Sequence, residues 1–109
     1  MDFFKKWCEN IFGVGAWPNI EQTNLRFGGL NIQIENLIFI NGNEDPWKWA
    51  SLLKNTTTIS SYEVVCDNCA HCVDQNTPTP SDPEEVKHVR TIIISTIQKW
   101  LSEYWKSTT

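Results

Sequence analysis

Apolar and polar positions along the chain predict the first helix and the loop after it. Residues 2 to 12 repeat large apolar side chains at helical spacing and end at Gly13, a residue that often terminates helices. This pattern predicts an amphipathic helix. Residues 13 to 29 then carry glycine, proline and asparagine, which break regular structure, so we expect an ordered loop or a binding edge there.

Two short apolar runs predict strands. The run Leu37 to Ile40 is continuous rather than alternating, which is typical of a strand buried on both faces in a parallel sheet. The run Ile59 to Cys66 is rich in β-branched residues and predicts a second strand. Between them, Asp45 is expected to cap a short helical turn from Pro46 to Lys54, since proline at a first helical position has no amide to lose. A polar loop from Asp67 to Ser81 follows.

The last segment predicts a long helix that runs to about Trp105. Asp82 is the expected N-cap, Pro83 the first helical residue and Glu85 the partner in a capping box. The apolar positions recur on one face, namely Val86, Val89, Ile93, Ile97, Trp100, Leu101 and Tyr104. The predicted order is therefore helix, loop, strand, short helix, strand and long C-terminal helix. Two strands do not complete an α/β sheet, so we expect the edge of a larger fold.

Length and charge restrict the classes of function. A chain of 109 residues is one domain at most, and we treat residues 1 to 109 as a single partial domain. The net charge is −4 and no basic cluster exceeds the pair Lys5 and Lys6, so nucleic acid is not an expected partner. The apolar runs are too short to span a bilayer, and no long apolar stretch near the start indicates a signal peptide in this chain.

An acid and a base follow the two predicted strands. In α/β proteins functional side chains lie beyond the carboxyl ends of strands, and here Asp45 follows the first strand while His71 follows the second. Ser, Asp, His is the chain order of an α/β-hydrolase triad. The nucleophile is missing, however, because every glycine lies at or before Gly42 and every serine at or after Ser51. No serine can therefore stand in a Gly-x-Ser-x-Gly elbow.

Several strings resemble one peptidase family. These strings are Trp7-Cys8, Ile11-Phe12-Gly13, Thr23-Asn24, Phe27-Gly28-Gly29, Phe39-Ile40-Asn41-Gly42-Asn43-Glu44-Asp45-Pro46-Trp47, Ala70-His71-Cys72-Val73-Asp74, Asp82-Pro83, and Val89-Arg90 to Trp100-Leu101. Together they resemble the C-terminal part of the serine carboxypeptidases, the family of lysosomal Pro-X carboxypeptidase, dipeptidyl peptidase two and thymus-specific serine protease. The resemblance covers nearly all of residues 3 to 105. The Asn-Gly-x-x-Asp-Pro-Trp string is its most specific part.

The resemblance implies an α/β-hydrolase fold of which this chain is the C-terminal portion. It makes Asp45 the triad acid and His71 the triad base of a serine-type exopeptidase, a carboxypeptidase or dipeptidyl-peptidase that cleaves peptides beside proline or a similar small residue. It implies no cofactor and a lysosomal, vacuolar or secreted parent. Because the nucleophile is absent, we expect activity to require an N-terminal hydrolase segment. The alternative is a non-catalytic interaction module derived from such a peptidase.

Other side chains carry weaker signals. Cys66, Cys69, His71 and Cys72 could form half of a zinc site, but a second half-site is missing, so no metal is expected. A disulfide among Cys8, Cys66, Cys69 and Cys72 is expected instead, with the pairing left open. One of Trp47 and Trp49 is expected in the core and the other in a substrate wall. The sequon at Asn55 predicts glycosylation in a secreted protein.

Overall fold

The structure, a computed structural model, describes residues 1–108 and contains both helices and strands. The chain forms two compact units, Met1–Gln33 and Ile34–Thr109. The mixed helix and strand content agrees with the sequence. The expectation of a single partial domain stays a prediction.

The first unit contains two helices rather than one. Helix α1, Asp2–Phe12, was predicted, and it ends where the Gly13 amide donates to the Glu9 carbonyl at 2.9 Å. Helix α2, Ile20–Phe27, occupies the segment expected to be a loop, so that expectation was wrong. A turn of 3-10 helix, Gly29–Asn31, follows it.

The breakers that suggested a loop are the caps of α2. The Asn19 side chain accepts a hydrogen bond from the Gln22 amide at 2.9 Å, as an N-cap does. Gly28 adopts a left-handed conformation with φ of 89°, and its amide donates to the Asn24 carbonyl. Helix α2 has only eight residues, so its capping residues lie close together in the sequence. A segment with so many asparagine and glycine residues was therefore predicted to be a loop.

The second unit is built on a parallel pair of strands. Strand β1, Leu37–Gly42, pairs with strand β2, Ile59–Val64, in a register from Leu37 opposite Ile59 to Gly42 opposite Val64. The predicted strands and their parallel direction are confirmed. Residues 37 to 40 are only half-buried, because β1 has a hydrogen-bonded neighbour on one side alone within residues 1–108. The parallel register places the carboxyl ends of both strands at the same edge.

Helix α3, Glu84–Thr108, packs on one face of this small sheet, and the connection between the strands lies against the other. Its side chains Val86 and Val89 pack against Val64 and Cys69, and these four buried side chains form the core. On the opposite face, the Ser61 hydroxyl donates to the Leu52 carbonyl at 2.7 Å and fastens the connection between the strands. The turn that Asp45 caps is a 3-10 helix, Pro46–Ala50, and it ends before the predicted Lys54.

The predicted capping box of α3 is not formed. The carboxylate of Asp82 accepts from the Thr79 amide at 3.1 Å and from the Thr79 hydroxyl at 2.6 Å, and it also pairs with Arg90. The first turn of α3 is instead closed by the Pro83 carbonyl, which accepts from the Lys87 amide at 3.1 Å. Asp82 therefore anchors the preceding loop to α3 rather than capping the helix.

Candidate active site

The acid loop begins at the carboxyl end of β1. Strand β1 ends at Gly42, and the Asp45 amide donates back to the Gly42 carbonyl at 3.1 Å in a tight turn. One carboxylate oxygen of Asp45, Oδ1, then accepts from the Trp47 amide at 2.8 Å and caps the following 3-10 turn. This cap fixes the side chain and leaves the second oxygen, Oδ2, for another partner.

The histidine loop follows β2 and is closed by a disulfide. Cys66 and Cys69 are joined with their Cα atoms 5.3 Å apart, and Cys69 is completely buried. His71 lies two residues beyond the disulfide, and a turn of 3-10 helix, Val73–Gln75, begins after Cys72. The disulfide therefore restricts the conformations of the loop between the end of β2 and His71.

Side-chain and backbone hydrogen bonds join the two loops. The Cys66 amide donates to Asn43 Oδ1 at 3.1 Å, and the Asn68 amide donates to Glu44 Oε1 at 3.1 Å. In the opposite direction the Glu44 amide donates to the Cys69 carbonyl at 3.0 Å. The residues between the strand and the acid thus hold the loop that carries the base.

Gly42 allows the two loops to make contact. A Cβ atom built on Gly42 would lie 2.2 Å from the Cys69 carbonyl oxygen and 2.5 Å from the Ala70 carbonyl oxygen. Only a residue without a side chain leaves room for this crossing. The sequence did not predict the steric role of Gly42 or the acceptor roles of Asn43 and Glu44, although a glycine within a strand indicates a bulge or a close backbone approach.

Asp45 and His71 form a hydrogen-bonded pair. His71 Nδ1 lies 2.8 Å from Asp45 Oδ2. Asp45 is 5% exposed, whereas the His71 side chain is 60% exposed. The hydrogen bond from His71 lowers the pKa of the Asp45 carboxyl most, the Trp47 amide and Lys48 lower it further, and burial opposes them. The carboxylate is therefore ionised at neutral pH and accepts a hydrogen bond from the Nδ1–H group of His71.

This arrangement prepares His71 to act as a base. When Nδ1 of a neutral imidazole carries the proton, Nε2 carries a lone pair and can accept a proton. A buried carboxylate on Nδ1 fixes that tautomer and stabilises the imidazolium that forms. The exposed ring of His71 remains open to an incoming group.

A cavity of about 450 Å³ lies beside the pair. Trp47 lines it together with Asp45 and His71. Trp49 lines a different hollow, near Ser61 and Glu63, where its ring lies 5.3 Å from the Lys48 ammonium. Both tryptophans are largely exposed, so the expectation that one of them fills the core was wrong. Of the two candidates for a substrate wall, Trp47 has the position beside the pair.

No serine of this chain is paired with His71 in the described residues. Ser51 lines the cavity, but its Oγ is buried and lacks a hydrogen-bond partner. A nucleophilic serine is expected to share a hydrogen bond with its base. Ser51 also lacks the flanking glycines of an elbow.

The structure places a disulfide within the cysteine cluster. Two of the candidate ligands, Cys66 and Cys69, are bonded to each other, and Cys8 and Cys72 are free. Among residues 1–108 no group of three or more histidine, cysteine or acidic side chains is arranged to hold a metal ion. The expected disulfide is present, and the structure selects its pairing.

Asn55 is exposed on the connection between the strands, where its Oδ1 accepts from the Ser61 amide at 2.7 Å. Its glycosylation stays a prediction.

No helix within residues 1–108 combines the length and the apolar character that crossing a membrane requires.

Comparison with known proteins identifies one peptidase family. The family model described as serine carboxypeptidase S28 matches residues 1–93. The chain is 33% identical over 108 residues to the Probable serine protease EDA2 of Arabidopsis thaliana, covering 88% of this chain and 22% of that protein. It is 29% identical over 103 residues to the Thymus-specific serine protease of Mus musculus, covering 92% and 20%.

A third relative has a similar match. The Lysosomal Pro-X carboxypeptidase of Bos taurus is 30% identical over 105 residues, covering 95% of this chain and 19% of that protein. The chain thus spans about a fifth of the length of these relatives. No solved structure matched the chain.

Proposed function

Because the chain belongs to the serine carboxypeptidase S28 family, we propose that it supplies the acid and the base of a serine-type exopeptidase. The substrate is a peptide cleaved beside proline or a similar small residue, by a carboxypeptidase or dipeptidyl-peptidase reaction. The name of one relative, Lysosomal Pro-X carboxypeptidase, supports a substrate that contains proline. Residues 1 to 109 are then the C-terminal portion of an α/β-hydrolase catalytic domain.

The hydrogen bond between His71 Nδ1 and the buried Asp45 carboxylate is the observation that carries this proposal. In the reaction, a serine hydroxyl from a preceding hydrolase segment attacks the scissile carbonyl carbon, and its proton passes to His71 Nε2. The resulting imidazolium is stabilised by Asp45. His71 then returns the proton to the leaving amine as the C–N bond breaks, and water releases the acyl group by the same exchange of protons.

The 109 residues are not proposed to act alone. They contain no serine elbow, and the chain spans about a fifth of its relatives' length, so the nucleophile and the oxyanion hole come from an N-terminal hydrolase segment. Relatives named as lysosomal and as extracellular enzymes support a lysosomal, vacuolar or secreted location. A disulfide near the base is consistent with such an oxidising compartment.

The experiment joins this chain to the segment that precedes the matching region in the Arabidopsis relative. We expect turnover of a proline-containing peptide by the fusion and none by the chain alone. Asp45→Asn should lower kcat by roughly 10⁴-fold, because it favours the wrong tautomer of His71. His71→Ala should lower kcat by at least about 10⁴-fold. The measurement is steady-state kinetics on purified, folded variants.

His88 provides a matched control because it is the second of two histidines and lies exposed on α3. His88→Ala should leave kcat within about twofold of the unmodified fusion. Full activity in His71→Ala would exclude the assigned role. A folded fusion without turnover would favour the non-catalytic interaction module.

A further inference from the structure

The sequon at Asn55 lies in a loop that covers the outer edge of β2. Within residues 1–108, β2 pairs with β1 on one side only. On its other side, the Thr56 amide donates to the Ile59 carbonyl at 2.9 Å, and the Ser61 amide donates to Asn55 Oδ1 at 2.7 Å. An uncovered strand edge can pair with another chain, and a covering loop is one way in which proteins prevent this. Asn55 is therefore part of the structure that closes this edge.

The Asn55 side chain uses only one of its two polar atoms in the fold. An asparagine amide has an oxygen that accepts hydrogen bonds and a nitrogen that donates them. The Ser61 amide is a donor, so the atom beside it is Oδ1. Nδ2 of Asn55 takes part in no hydrogen bond within the described residues, and residues 53 to 58 are all exposed. Nδ2 is thus left for chemistry at the surface.

N-linked glycosylation uses this nitrogen. The sugar comes from a lipid diphosphate donor, and an oligosaccharyltransferase makes a bond between Nδ2 and carbon C1 of N-acetylglucosamine. The bond from C1 to the phosphate oxygen breaks, the lipid diphosphate leaves, and Nδ2 loses one proton. The amide oxygen keeps its lone pairs in the product, so Oδ1 of a glycosylated Asn55 still accepts from Ser61.

The sequence around Asn55 meets the requirement of that transferase. The acceptor signal is Asn-x-Ser/Thr with x other than proline, and Asn55-Thr56-Thr57 is the only such string in the 109 residues. The disulfide between Cys66 and Cys69 is an independent indication of the secretory pathway, because disulfides persist in its oxidising compartments. An exposed acceptor and a disulfide therefore indicate the same route.

We propose that Asn55 carries an N-linked glycan on Nδ2 while its Oδ1 continues to close the outer edge of β2. One side chain then serves both as a modification site and as a cover for a strand edge. The glycan is a bulky, polar group, so it adds to the hindrance that the loop presents to another chain at this edge. The proposal goes beyond the peptidase assignment and shares with it only the secretory location.

Mass spectrometry of the intact chain tests the modification. The 109 residues are produced in a eukaryotic host behind a cleavable signal peptide and isolated from both the medium and the cells. Because the chain has a single sequon, a gain in mass that peptide N-glycosidase F removes assigns the glycan to Asn55. A chain of unmodified mass in both fractions would overturn the proposal.

Thr57→Ala and Thr58→Ala form a matched pair of variants. Both threonines are exposed on the same loop, but only Thr57 belongs to the sequon. Thr57→Ala should abolish the gain in mass and Thr58→Ala should retain it. A gain that persists in Thr57→Ala would place the modification elsewhere and would overturn the proposal.

Exchange of the Ser61 amide tests whether the edge stays closed. Its rate should be similarly slow in the glycosylated chain and in Thr57→Ala, since Oδ1 of Asn55 accepts from it in both. Asn55→Ala removes the acceptor and should quicken exchange by about tenfold. Asn55→Asp keeps an acceptor without a sequon and should remain slow. Exchange as fast in the glycosylated chain as in Asn55→Ala would overturn the double role.

The two proposals fail separately. Mass spectrometry of the peptide that contains Asn55 gives the same readout in the fusion, independently of turnover. A glycan at Asn55 in a fusion without turnover would retain the modification site and remove the peptidase assignment. Turnover by a fusion with an unmodified Asn55 would retain the peptidase and remove the glycan.

Discussion

At the scale of single residues, the geometry of the acid and the base depends on small and polar neighbours. Gly42 gives the two loops room to cross, and Asn43 and Glu44 accept amide hydrogen bonds from the loop that carries His71. None of these three residues touches the Asp45–His71 hydrogen bond itself. Their effect is to fix the path of the loop that runs from the end of β2 to His71.

Gly42→Ala should lower the denaturant midpoint of the unit that contains the two strands, because overpacking at such a site costs about 1–3 kcal/mol. The added methyl group would overlap the carbonyl oxygens of Cys69 and Ala70, so backbone must shift. We also expect loss of the His71 Nδ1 proton signal from the hydrogen bond with Asp45 in NMR spectra. Denaturant titration measures the first effect. An unchanged unfolding midpoint together with an unchanged proton signal would exclude this account of Gly42.

Acid should weaken the fold through two carboxyl groups. The hydrogen bond from His71 lowers the pKa of Asp45, and the hydrogen bonds from Thr79 and Arg90 lower that of Asp82, both from an ordinary value of 3.8. A depressed pKa in the folded state contributes stability that is complete above the unfolded value and is lost as the pH falls through the folded value.

The unfolding midpoint in urea is therefore expected to fall steadily as the pH is lowered from about 5 through 4 and below. Asp82→Asn should make this dependence shallower, because one of the two titrating groups is removed. The measurement is a series of urea titrations followed by circular dichroism. A midpoint that rises as the pH falls from 5 would contradict the signs assigned to both groups.

At the scale of elements, α3 holds the site through the loop that precedes it. The Arg90 guanidinium pairs with Asp82, and it also donates to the Asp74 carbonyl at 2.8 Å and to the Asn76 carbonyl at 2.9 Å. One side chain of α3 thus binds both the residues just after His71 and the residues just before the helix. Arg90 therefore ties α3 to the loop that follows His71.

Helix α2 depends on its N-cap. Asn19→Ala removes the acceptor for the Gln22 amide and should cost about 1 kcal/mol of helix stability. Asn19→Asp keeps an acceptor at the same position and serves as the control. Amide exchange of residues 20 to 24 measures the effect, and it should quicken in the alanine variant only. Equal exchange rates in all three proteins would show that the cap does not stabilise α2.

At the scale of the whole molecule, little apolar surface is buried. The buried apolar residues are Ile59, Val64, Cys69, Val86 and Val89, and residues 1 to 33 include no buried residue. The carboxyl half of α3 exposes Ile97, Leu101 and Tyr104, which the sequence placed on the apolar face with Val86 and Val89. Large apolar areas left open in this way are typical of surfaces that join other parts of a protein.

Thermal unfolding of the chain alone should be broad and of low cooperativity. Tryptophan fluorescence and far-ultraviolet circular dichroism should give different midpoints, because a small core does not couple the elements into one transition. In the fusion with a hydrolase segment the transition is expected to sharpen. Coincident, sharp transitions in the chain alone would show that the 109 residues form a complete cooperative domain.

The two strands, their parallel direction, and the first and last helices were predicted from the sequence, which also singled out Asp45 and His71 as the proposed acid and base. These follow from local pattern, since apolar runs and chain order are properties of neighbouring residues. Helix α2 and the anchoring role of Asp82 were not predicted, because asparagine, glycine and aspartate serve equally as helix caps and as loop residues.

The contacts that build the site are seen in the folded chain and were not predicted from the sequence. The hydrogen bond between Asp45 and His71 and the contact of Gly42 with Cys69 and Ala70 join segments distant in sequence, and the pairing of Cys66 with Cys69 was left open by the sequence. Such contacts depend on how the loops cross at the ends of the strands. The spacing of residues along a chain does not specify that crossing, because the packing of side chains and backbone in three dimensions selects it.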